Sequence, residues 1–97
     1  MLRITPLSQT EEETVIRIEG QVTGADVVLV DQEIQARFEQ TRRLILDLQG
    51  LKHIDREGLH MLKRWSANAL VLRGSSPFVR TLLDNHGLSG GLEQVEG

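Results

Sequence analysis

The chain is expected to fold as an α/β domain, with a mixed sheet of four or five strands and about three helices. Two observations carry that expectation. Leu44-Ile-Leu-Asp-Leu48 and Ala69-Leu-Val-Leu72 are nearly unbroken apolar runs, as in strands covered on both faces, and a helix start lies between them. Strand, helix and strand within about thirty residues is the order of a right-handed βαβ crossover, so these two strands are expected to be parallel. Ahead of them, two short segments alternate apolar and polar residues, which predicts an antiparallel hairpin. At 97 residues, 1–97 is read as one domain with one core.

The hairpin strands are Leu2-Arg-Ile4 and Thr14-Val-Ile-Arg-Ile18, separated by the acidic turn Gln9-Thr-Glu-Glu-Glu13. Val22 extends the second strand past Gly20, and Thr23-Gly-Ala-Asp26 then has capping-box spacing, with Asp in place of the usual Glu. A helix follows, with Val27, Val30, Ile34 and Phe38 on one face and Val28 and Leu29 outside that stripe. Leu44–Leu48 is the central strand. Next come a short apolar loop, a tight acidic turn and a second helix starting near Glu57. Ser76-Pro77 is an N-cap with proline at the first helical position, and Asn85-His86-Gly87 is a glycine-ended C-cap. The third helix is therefore Pro77 to His86, with Phe78, Leu82 and Leu83 as its apolar face. Residues 88–97 show no periodicity and are read as loop with a short terminal turn.

Composition narrows the function classes. Without cysteine there is no disulfide framework, thiolate metal site or catalytic thiol, which fits a reducing cytoplasm. No leader and no run of membrane-spanning length is present, so direct membrane insertion is not expected. A net charge of −3 with interspersed signs gives no basic stripe, and three scattered aromatics, Phe38, Trp65 and Phe78, make no base-stacking platform. Nucleic acid is not an expected partner. No nucleophile elbow, glycine-rich phosphate loop or paired acid and base connects the serines and histidines, so no catalytic residue and no cofactor is assigned.

The segment Asp55-Arg56-Glu57-Gly58, preceded by Leu44–Leu48 and followed by Leu59, resembles one motif of a known family. In the STAS domains of anti-sigma-factor antagonists and sulfate transporters, an apolar strand ends in Asp-Leu, a short apolar loop follows, and Asp-Ser-Ser/Thr-Gly-Leu opens a helix. Glu19-Gly-Gln-Val-Thr23 is similar to the family's Gly-x-Leu-Asp, and Ser76–Leu88 to its Ser-Pro-x-Val-x-x-Leu-x-x-x-Gly-Leu helix. The resemblance runs from about Thr14 to Leu88. Thr23 replaces a customary Asp, His53 takes a frequently aromatic position, and Ser66 to Asn68 leave a shorter second helix.

The resemblance implies the STAS fold and a non-enzymatic protein-interaction module like an anti-sigma-factor antagonist. Glu57 stands where that family often carries a phosphorylatable hydroxyl, and no hydroxyl lies between Gln49 and Trp65, so the usual phosphoswitch is expected to be missing. A carboxylate has one charge and two oxygens against a phosphate's −1.5 to −2 charges and three, approximately. The implied partner is a protein, either an anti-sigma factor kinase or the ABC ATPase of a lipid-transport complex, and a homodimer stays open. Sensing of a nucleotide or small metabolite is a third reading, which acidic Asp55 and Glu57 oppose for phosphate ligands.

The expected partner-binding residues are Asp55, Arg56, Glu57, Gly58 and His60, flanked by Thr23 and Asp26. The plain alternative is a well-capped helix: Asp55 as N-cap accepting from Glu57 or Gly58, with Glu57 near the positive helix end. Gly58 is expected to serve packing. His53, Asp55, Glu57 and His60 could be imagined as metal ligands, but the spacing is a weak signal and no metal site is assigned. Leu59 and Leu62 are expected in the core; Met61 and Trp65 either join it or form an exposed docking pair beside the turn.

Overall fold

A computed structural model of the chain describes residues 1–88 and 92–93. The elements run β1 (Arg3–Gln9), β2 (Glu13–Val22), α1 (Asp26–Phe38), β3 (Arg43–Asp47), β4 (Leu51–Ile54), α2 (Arg56–Trp65), β5 (Leu70–Arg73), α3 (Pro77–Asn85) and β6 (Leu92–Glu93). The sheet order is β1-β2-β3-β5-β6, with β4 pairing to β2 off this path. β1 is antiparallel to β2 and the remaining pairs are parallel, so the sheet is mixed.

The hairpin forms as expected, with longer strands. Thr10 closes its turn: its backbone N–H donates to the Glu13 carbonyl at 2.9 Å, and its hydroxyl accepts from the Glu13 N–H at 3.0 Å. β2 is long enough to serve two partners on the edge opposite β1. Its first half, Glu13 to Arg17, pairs with β3, and its last residues, Gly20 to Val22, pair with β4. Within the β2–β4 pairing a register shift falls between Gly20 and Gln21, and Gly20 has a φ of 91° that suits glycine alone and is crossed by the Met1 carbonyl. The short apolar loop expected at Leu51–Ile54 is therefore a strand, with Leu51 and Ile54 buried and Lys52 exposed.

β3 is central, and Leu44, Ile45 and Leu46 all have 0% exposure. Because successive strand residues face opposite ways, consecutive burial means that both faces are covered. β5 lies beside β3 in parallel, as the crossover pattern requires. α1 buries Val30 and Ile34 and packs Val27 and Phe38 partly, while Val28 and Leu29 stay exposed. Its start differs from expectation. Ala25 is the N-cap and no side chain caps it; instead backbone bonds from Asp26 to Thr23 (3.0 Å) and Val27 to Gly24 (3.2 Å) begin the helix.

In α2, Leu59 and Leu62 are buried as expected, and so is Met61 at 0% exposure. Gly58, Met61, Leu62 and Trp65 share one face at helical spacing, so Met61 belongs to the core and not to an exposed docking pair. Trp65 is half-buried, stacked on Phe38 at 5.5 Å between centroids, and its Nε1 donates to Asp31 Oδ1 at 2.6 Å. The tryptophan thereby ties α2 to α1.

Ser76 caps α3 by accepting from the Val79 N–H at 3.3 Å, with Pro77 first in the helix. The far end closes with Leu88 N–H to the Leu83 carbonyl (2.9 Å) and Gly87 N–H to the Asp84 carbonyl (3.1 Å), with both leucines buried. The helix ends at Asn85, with His86 as its C-cap. Its buried face is Val79 and Leu83 with Leu82 at the margin; Phe78 points outward, 57% exposed, contrary to the apolar-face expectation. The tail is not wholly loop, because Leu92–Glu93 adds a parallel strand beside β5. The expected terminal turn lies outside the described residues.

Candidate functional site

Parallel pairing of β4 with the end of β2 sets Val22 opposite Ile54, so the two chains leave the sheet side by side. The Asp55 N–H, donating to the Val22 carbonyl at 3.1 Å, extends this pairing one step beyond the strands. Asp55 itself is extended (φ −87°, ψ 178°) and is the N-cap of α2. Its Oδ1 accepts from the Gly58 N–H at 2.9 Å, and its Oδ2 accepts from the Gly24 N–H, also at 2.9 Å. One carboxylate thus caps α2 and clasps the loop that opens α1.

Those two backbone donors, Gly24 first and Gly58 second, hold the Asp55 carboxyl below its ordinary range, with desolvation opposing. Gly24 sits in the left-handed region at φ 55°, a conformation that aims its N–H at Asp55 without cost to a side chain. Gly58 is needed for space. A Cβ there would come within 2.6 Å of Ile54 Cγ1 and 3.2 Å of the Val22 carbonyl oxygen. The expected packing role is the observed one.

The sequence-selected residues gather on this clasp. Thr23 and Asp26 are half-buried on the α1 side; Arg56, Glu57 and His60 are exposed on α2. Glu57 lies in the first turn of α2, where the helix dipole favours its charge, and it makes no ion pair with a described residue. His53 and His60 go separate ways. His53 stacks on Phe78 with centroids 6.0 Å apart, and His60 faces His86 at 5.9 Å. Among the described residues no three His, Asp or Glu side chains form a group able to hold a metal ion. Sequence reasoning missed Gly24 and His86. Gly24 was visible as a glycine, but its donor role depends on a partner 31 residues away, and His86 meets His60 only through the packing of α2 beside the end of α3.

A groove of about 400 Å³ lies elsewhere, lined by Leu2, Ile4, Leu29, Gln32 and Glu33, and none of the clasp residues contributes to it. Among the described residues, no helix is long and apolar enough to cross a membrane.

A family model described as "Mlab, STAS domain" matches residues 6–94. Among solved structures, the anti-sigma factor antagonist SpoIIAA in its unphosphorylated form is similar at 22% identity and a TM-score of 0.80, over 97% of this chain and 89% of that one. An anti-sigma factor antagonist from Mycobacterium paratuberculosis is similar at 18% identity and 0.78, over 98% and 87%. RsbS from Moorella thermoacetica with a serine-to-glutamate substitution is similar at 21% identity and 0.72, over 98% and 87%. At these identities the likeness is one of fold. No curated protein sequence matches the chain.

Proposed function

The chain belongs to the STAS domain family, and from that premise we propose that it is a non-enzymatic protein-interaction module, similar to an anti-sigma-factor antagonist, that docks through the Asp55 clasp. The observation that carries this reading is the double acceptance by Asp55 from Gly24 and Gly58. It makes two loops from distant parts of the chain one preorganised surface, and preorganisation lowers the entropy cost of binding. Arg56, Glu57 and His60 stand exposed on it, with Thr23 and Asp26 at its edge. The occupant is an ATP-binding protein, either an anti-sigma factor kinase, which would make the chain a regulator of transcription in the cytoplasm, or an ABC ATPase.

Glu57 bears on the choice between those two through its permanence. In place of a hydroxyl that a kinase could charge and a phosphatase discharge, it offers a charge that does not switch. An unswitched surface also suits a constant subunit, which supports the alternative reading, an accessory STAS subunit of a lipid-transport ABC complex. Sensing of a phosphorylated ligand is opposed by the carboxylates at the helix start.

The test is amide chemical-shift mapping of the labelled protein titrated with the product of an adjacent gene, whether kinase or transporter ATPase. The proposal expects the largest shifts at residues 23–26 and 55–60. Shifts confined to the Leu29 groove or to Phe78 would reject it.

A further inference from the structure

His60 of α2 and His86 at the end of α3 are 26 positions apart in sequence, yet their rings face each other with centroids 5.9 Å apart at 59°. We propose that this pair is a two-imidazole site for a borderline divalent cation such as Zn²⁺, lying on the seam between the two helices. Imidazole nitrogens bind zinc at about 2.0–2.1 Å, so two rings sharing one ion have centroids roughly 5–6 Å apart. The observed spacing lies at the wide end of that range and needs only rotamer adjustment by His60, which is exposed.

The second ring is already oriented. His86 Nδ1 lies 3.2 Å from the Leu82 carbonyl. A carbonyl can only accept, so in the neutral ring Nδ1 carries the proton and Nε2 holds the lone pair, the arrangement that characterises metal-ligating histidines. His60 makes no ring hydrogen bond with a described residue, so a nitrogen lone pair is available there too. Both imidazoles must be neutral to ligate.

Two limits follow from the surroundings. Among the described residues only two protein ligands are present, so water completes the coordination and the ion stabilises the fold only by weak mass action. Lys63 lies on the same seam, its Nζ donating to the Gly87 carbonyl at 3.0 Å, and its charge weakens cation binding. The site is distinct from the His53, Asp55, Glu57 and His60 set, because His53 is committed to Phe78. It does share His60 with the docking surface, so a bound cation would add positive charge beside it.

The experiment is calorimetric titration of the purified chain with Zn²⁺ alone, repeated on His60→Ala, His86→Asn and His53→Ala. Wild type and His53→Ala should bind one ion alike, while His60→Ala and His86→Asn should each bind at least tenfold more weakly. Lys63→Met should bind more tightly than wild type. His60→Ala replaces an exposed side chain, so its result stands whatever happens to the α3 cap in His86→Asn. No binding by wild type up to millimolar Zn²⁺, or binding undiminished in either His60→Ala or His86→Asn, would overturn the site. Loss of partner docking with zinc binding intact would count against the proposed function and leave this site standing.

Discussion

At the scale of single residues, Asp55 has two tasks that one substitution separates. Asparagine keeps a carbonyl oxygen that can accept from Gly58, but its amide donor would confront the Gly24 N–H where a carboxylate oxygen now accepts. Asp55→Asn should therefore keep the α2 cap, release the 23–26 loop and cost about 0.5–2 kcal/mol by denaturant titration. The pH dependence has a fixed sign. The folded-state pKa lies below 3.8, so the carboxylate's contribution is present above that value and is lost as pH falls through the lower folded pKa. Wild type should lose stability more steeply than Asp55→Asn below about pH 4. Parallel curves would mean that the two N–H donors do not stabilise the charge.

At the scale of elements, the test falls on the packing of α2. Gly58→Ala should destabilise the fold by about 1–3 kcal/mol, since the new methyl meets Ile54 on one side and the backbone of Val22 on the other. An unchanged thermal midpoint would contradict this. Met61→Ala should cost about 2–5 kcal/mol and leave partner affinity unchanged once folding is accounted for. A loss of affinity at full stability would restore Met61 to the docking surface. The elements differ in how legible they were. β3, β5 and the caps of α3 could be read because their signals are local: unbroken apolar runs, Ser-Pro, and glycine after the last turn. β4 could not, because Leu51-Lys-His-Ile54 is four residues long and becomes a strand only where β2 outruns β3. Thr23 was misread for a related reason. Its spacing to Asp26 suits a capping box, but Asp55, remote in sequence, occupies the Gly24 donor and backbone bonds start the helix. Phe78 fits a helical stripe on paper, yet Val79 and Leu83 define the face that the sheet covers.

At the scale of the whole molecule, the fold places the exposed charges of Arg56 and Glu57 where two helix starts meet. The candidate residues can be named from sequence because Asp-x-Glu-Gly is a compact motif with Thr23 and Asp26 expected at its flank, whereas the Asp55–Gly24 bond that joins the two loops depends on the β2–β4 pairing. As proposed, this union is a docking surface and Glu57 makes a direct, favourable contact across it. The most direct measurement is calorimetric titration of wild type, Glu57→Ser and Glu57→Lys against the adjacent ATP-binding protein. Removal of the charge should weaken binding by on the order of 1 kcal/mol, about fivefold, and its reversal by more. Tighter binding by Glu57→Ser would instead make Glu57 an imitation of a released, phosphorylated state, and equal affinities across all three would show that the turn is a capped helix start and not the interface.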